Sequence, residues 1–135
     1  MNSQSVAQKP SSYDILTVRE AYARPDFIKI DVRQPEELAS DLGYIDGVHN
    51  YPLNELLQNG PPAALPKDAP ILMICRSGGR SGKAAAFFAQ TGFTHIVNME
   101  GGMMAWNDQN LPVHNDAAPR KRESTLGLGW LFGDQ

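Results

Sequence analysis

The run Ile71-Leu72-Met73-Ile74 restricts the fold of this chain more than any other segment. Four consecutive apolar side chains leave no polar face for solvent. A strand built from them must be covered on both sides, as in the centre of a parallel sheet. Parallel neighbours require long crossover connections, usually helices. The flanking sequence supplies one directly: Cys75 closes the run, Arg76-Ser77-Gly78-Gly79-Arg80-Ser81 forms a glycine-rich cationic loop, and a helical pattern follows. Ala84, Phe87 and Phe88 give that helix a packing face, and Gly92 is placed to terminate it as the C′ residue.

The same alternation runs through most of the chain. Tyr13–Leu16 reads as a short strand, and Thr17-Val18-Arg19-Glu20 has the form of a capping box. Val18, Ala21 and Tyr22 then share one helical face, and the helix ends before Pro25. Phe27–Val32 is a second strand. Pro35, Glu36 and Glu37 suit the first turn of a short helix that stops near Gly43. Gly47–Tyr51 is a third strand, and Asn54 is placed to cap a small helix containing Leu56 and Leu57. Gln58–Pro70, with four prolines, reads as a stiff surface connector. His95–Met99 is the fifth strand, and Gly101-Gly102 opens a last helix through Trp106, closed by Pro112. The expected architecture is an α/β fold: an open, mainly parallel five-stranded sheet with helices on both faces. In such sheets sites lie beyond the C-terminal strand ends, where Asp31, Cys75 and Glu100 all fall.

With 135 residues the chain has room for one domain. Residues 1–11 read as a polar, flexible lead, 12–114 as the domain, and 115–135 as an extension. That extension joins a charged stretch, including Arg120-Lys121-Arg122, to the glycine-punctuated Leu126-Gly127-Leu128-Gly129-Trp130-Leu131-Phe132-Gly133. It reads first as a strap over the domain's own surface, with self-association or partner docking as the alternatives. A net charge of −3 gives no reason to expect nucleic-acid binding. No apolar run approaches the roughly 20 residues that span a bilayer, and the first fifteen residues do not resemble a signal peptide. A single cysteine cannot form an intramolecular disulfide. The expected compartment is the cytoplasm.

Only a thiolate is a strong nucleophile, and a free cysteine with a pKa of about 8.5 is mostly thiol at neutral pH. The sequence after Cys75 is suited to change that. Consecutive N–H groups of a glycine-rich turn can converge on an anion, and the following helix directs its positive end to the same point. Arg76 and Arg80 add positive charge. Lowering the pKa by two units takes about 2.7 kcal/mol, within reach of two or three such interactions. The alternative of an inert core cysteine fits poorly with the polar, glycine-rich continuation.

Four blocks carry a resemblance to a known family. Asp31-Val32-Arg33 with Glu36-Glu37, Gly43-Tyr44-Ile45-Asp46-Gly47-Val48-His49-Asn50, Cys75-Arg76-Ser77-Gly78-Gly79-Arg80-Ser81, and Gly101-Gly102-Met103-Met104-Ala105-Trp106 occur in the order and spacing of rhodanese-like domains. Leu111-Pro112-Val113 resembles the family's closing segment. The resemblance covers roughly residues 12–114. It implies the rhodanese fold and sulfurtransferase chemistry, with Cys75 carrying a persulfide and no metal or organic cofactor. It implies an anionic small-molecule sulfur donor (thiosulfate, polysulfide or a persulfide) and a cyanide or thiol acceptor, with a protein as a possible sulfur acceptor. Residues 76–80 would hold the persulfide through their amides. Arg80, with Arg76, would attract the donor, and Ser77 and Ser81 would donate to the sulfur. A persulfide carrier acting with a partner protein is the second reading. A cysteine-dependent phosphatase is the third, disfavoured because only four residues separate Cys75 from Arg80, where the related phosphatases use five. Oligomeric state stays open.

Other residues are assigned structural roles. Asp31 and Arg33 read as an ion pair fixing the strand–helix turn. Glu36 and Glu37 read as helix N-terminal charges. His49, His95 and His114 lack metal-ligand spacing. Gly101-Gly102 reads as a close approach to the Cys75 loop, and Trp106 as core. Met103 and Met104 could line the pocket rim or pack in the helix interface.

Overall fold

A computed structural model describes residues 12–115. The lead at 1–11 and the basic and apolar segments at 116–135 lie outside the described residues. Within them, five strands alternate with five helices: β1 (Asp14–Leu16), α1 (Val18–Tyr22), β2 (Ile28–Asp31), α2 (Pro35–Leu38), β3 (His49–Asn50), α3 (Leu53–Asn59), β4 (Ile71–Ile74), α4 (Gly79–Gln90), β5 (Ile96–Met99) and α5 (Gly102–Asp108). The sheet order is β1-β5-β4-β2-β3 and every pairing is parallel.

β4 is the central strand, with all four residues buried. Ile71 pairs with Ile28 on one side and Ile96 on the other. Successive side chains point to opposite faces, and the core divides accordingly. Ile71 and Met73 pack with Leu56, Ala84, Ala85 and Phe88 from α3 and α4. Leu72 and Ile74 pack with Val18, Ala21, Leu38, Met103 and Trp106 from α1, α2 and α5. Burying each such large apolar side chain contributes about 1.5–3 kcal/mol, so two covered faces anchor β4 firmly in the sheet.

Local signals decide most helix ends. The Thr17 hydroxyl accepts from the Glu20 N–H at 3.1 Å, and the Glu20 carboxylate accepts from the Thr17 N–H at 2.8 Å, completing the capping box. At the end of α4, the N–H of Phe93 donates to the Phe88 carbonyl and that of Gly92 to the Ala89 carbonyl. This is a Schellman motif with Gly92 at C′, closed by the contact of the Phe88 and Phe93 rings.

Several boundaries differ from the sequence expectation. α2 ends at Leu38 and does not continue toward Gly43, because turns at residues 39–42 lead instead into an antiparallel bridge between Tyr44 and His114. The third strand shrinks to His49–Asn50, since it pairs only with Ile30 and Asp31 at the sheet edge. Pro52, not Asn54, occupies the N-cap position of α3, and Asn54 accepts instead from the Gln34 side chain at 3.2 Å. Leu57 is exposed. Tyr22 is also exposed, covering the Trp106 ring edge-on. Gln58 belongs to α3, and the connector after it sinks Leu65 into the core. Met103 is fully buried while Met104 is exposed, so only Met104 stands at the surface. No helix among the described residues is long and apolar enough to cross a membrane.

Candidate active site

Cys75 sits one residue past the end of β4, and the chain turns around its sulfur. Gly78, at φ +106°, is the N-cap of α4. This left-handed geometry suits glycine and brings the Gly78 N–H to 3.0 Å from Sγ. The Ser81 hydroxyl lies 3.3 Å from the same sulfur, on the first turn of α4. The residue as a whole is only 1% exposed.

Three carbonyl groups of the turn are engaged elsewhere. The Cys75 carbonyl accepts from the Met103 N–H at 2.8 Å, and the Arg76 carbonyl accepts from the Met104 N–H at 2.9 Å. The Gly78 carbonyl accepts from the Asn98 side-chain amide at 3.2 Å. With these oxygens bound on the outside, N–H groups are what the turn presents to sulfur. Gly102 makes the first two bonds possible. A Cβ there would lie 2.5 Å from the carbonyl oxygens of both Cys75 and Arg76, so only glycine allows α5 to approach so closely.

Burial alone would push the Cys75 thiol up. The Ser81 hydroxyl and the N–H groups of Ser81, Gly78 and Ser77 outweigh it, and hold the thiol below its ordinary pKa. Neither arginine is among the leading causes of that lowering. Hydrogen bonds, and not the arginine charges, account for the lowering. Ser77 itself is exposed and acts through its backbone.

The two loop arginines have different surroundings. Arg76 is exposed and forms no ion pair with another described residue. Arg80 is held by Glu37 of α2 in a bidentate pair, with Nη1 donating to Oε2 at 2.7 Å and Nη2 to Oε1 at 2.9 Å. Glu37 is thus more than a helix-end charge. Arg80 chiefly, against partial burial, brings its carboxyl down to about 2. Glu37 also accepts from the Gln34 N–H at 3.0 Å. Behind it, Asp31 and Arg33 form the expected ion pair, fully buried and bidentate at 2.9 and 2.8 Å. Arg33 extends to the carbonyls of Gly43 and Glu37. Glu36 is exposed and stays a helix N-terminal charge.

Two participants were not singled out from sequence. Asn98 accepts from the Ser81 hydroxyl at 2.5 Å while its amide holds the Gly78 carbonyl. Its signal was available: it is the one polar side chain in the otherwise apolar Ile96–Met99 strand. The pairing of Glu37 with Arg80 spans 43 residues of sequence and had no local signal. The histidines lie apart from Cys75 in three different contacts or strands: His95 against Phe27, His114 with Asp46, and His49 in β3.

A parallel sheet whose central strand delivers a cysteine to a backbone N–H and a hydroxyl at the start of a helix defines a class of cysteine-loop α/β domains. The chain matches the Rhodanese-like domain family over residues 16–109 and belongs to that family. It is 33% identical over 88 residues to a sulfurtransferase of Allochromatium vinosum, covering 65% of this chain and 78% of the relative. It is 34% identical over 80 residues to the thiosulfate sulfurtransferase GlpE of Pseudomonas paraeruginosa, covering 57% of this chain and 66% of the relative. The chain spans less than two thirds of the length of several other curated relatives. Among solved structures, a rhodanese-related protein of Thermoplasma volcanium superimposes with a TM-score of 0.68 at 31% identity, covering 77% of this chain and all of that one.

Proposed function

We propose that this chain is a sulfurtransferase that carries sulfane sulfur on Cys75 between an anionic donor and a thiophilic acceptor. The observation that carries this reading is the approach of the Gly78 N–H and the Ser81 hydroxyl to Sγ, in a turn whose Cys75, Arg76 and Gly78 carbonyls are bound by other groups. Such a site favours the thiolate and holds negative charge on whatever sulfur replaces it.

In the first half-reaction the Cys75 thiolate attacks the outer sulfur of the donor. The donor's S–S bond breaks and its electron pair leaves with sulfite from thiosulfate, or with a thiolate from a persulfide. Cys75 becomes a persulfide, whose terminal sulfur the loop amides accommodate. In the second half-reaction cyanide or a thiolate attacks that terminal sulfur, leaving as thiocyanate or a new persulfide and restoring the Cys75 thiolate. Atoms and charge balance in each step, so no further oxidant or reductant is needed. Arg76, exposed at the loop, attracts the donor by charge. Arg80 is already bound by Glu37 and contributes through that pair.

Covalent sulfur transfer in two steps predicts ping-pong kinetics. Initial rates with thiosulfate and cyanide should give parallel double-reciprocal lines, and Cys75→Ser should abolish turnover. Intersecting lines, or a serine variant that retains activity, would rule out the covalent route.

A further inference from the structure

The mouth of the loop carries less free positive charge than its two arginines suggest. Glu37 grips Arg80 through both carboxylate oxygens. The grip is fixed from behind: the Glu37 carboxylate also accepts from the Gln34 N–H, and the buried Arg33, itself locked to Asp31, donates to the Glu37 carbonyl. Arg80 therefore faces the loop as one half of an ion pair mounted on the core, and a donor that recruited it would have to break a bidentate bond.

From this arrangement we infer that Glu37 is a specificity-determining residue, which biases the loop against dianionic donors and toward sulfane donors of lower charge, such as alkyl persulfides. The inference rests on the sulfur-transfer reading above. Thiosulfate brings two negative charges to an anionic nucleophile, whereas an alkyl persulfide brings at most one. A fixed carboxylate at the mouth raises the cost of the first more than that of the second, and it withholds the cation that would offset it.

The test is donor selectivity, the ratio of kcat/KM for thiosulfate to that for 2-hydroxyethyl persulfide, with cyanide as acceptor. Glu37→Gln removes the charge and frees Arg80, and should raise the ratio about fivefold, the effect of roughly one screened charge interaction. Glu37→Met, of similar size, should shift it in the same direction. In an Arg80→Met background the Glu37→Gln gain should be smaller than in wild type, because removal of the carboxylate charge remains but no arginine is released to the donor. A ratio within twofold of wild type in both single variants overturns the inference while leaving sulfur transfer standing. If neither donor places sulfur on the wild-type cysteine, the sulfur-transfer reading fails and the inference with it.

Discussion

At Ser81 a single hydroxyl proton faces two acceptors, the Asn98 carbonyl oxygen at 2.5 Å and the Cys75 sulfur at 3.3 Å. While sulfur holds its own proton, the hydroxyl can donate to Asn98. Once the thiolate forms, donation to sulfur gains a charge-assisted bond. Ser81 is thus the side chain most directly coupled to the ionisation of Cys75, and its removal should raise the thiol pKa. A hydrogen bond to a charged group contributes about 1.5–3 kcal/mol, or roughly one to two pH units. The pH midpoint of the iodoacetamide alkylation rate of Cys75 should move upward by that amount in Ser81→Ala. An unmoved midpoint would assign the thiolate to the backbone amides alone. Ser81 is a donor candidate in the sequence because it closes the rhodanese-like motif Cys75–Ser81. Asn98 stood out in sequence only as the one polar residue of an apolar strand, and its partners become defined when β5 is laid beside β4.

Elements were legible where their determinants are local. The Thr17 capping box, the apolar β4 run and the Gly92 terminus each involve residues within a few positions of one another. The turns after α2 and the two-residue β3 were not legible, because tertiary pairing sets their length. The contact of α5 with the Cys75 loop was foreseen from Gly101-Gly102, and it makes a sharp prediction. Gly102→Ala places a Cβ against two carbonyl oxygens at φ +58°. It should destabilise the fold by about 2–4 kcal/mol, lowering the urea midpoint. A loss below 0.5 kcal/mol would show that α5 is free to move away. Glu37 links α2 to α4 and gives the fold an acid-sensitive joint. Its pKa falls from 4.5 to about 2 on folding. The stabilisation is complete above pH 4.5 and disappears as the pH drops toward 2. The stability difference between wild type and Glu37→Gln should therefore narrow across that window in urea titrations. A difference independent of pH would mean that the pair contributes nothing to folding.

Across the whole molecule, the fold places chemistry where three strand ends meet. β2 ends on Asp31, which locks Arg33; β4 ends against Cys75; β5 contributes Asn98 and leads into the Gly101-Gly102 turn. The Asp31–Arg33 pair is fully buried, so breaking it leaves an uncompensated charge in the core. Asp31→Ala should cost about 3–5 kcal/mol, measurable as a large fall in melting temperature. A mild loss would show that Arg33 finds another partner. The central claim is that Cys75 becomes a persulfide, and intact mass spectrometry addresses it directly. After exposure to thiosulfate or 2-hydroxyethyl persulfide and removal of the donor, the wild-type chain should gain about 32 Da, one sulfur atom, and Cys75→Ser should gain nothing. An unchanged wild-type mass with both donors, or an equal gain in the serine variant, would contradict the account.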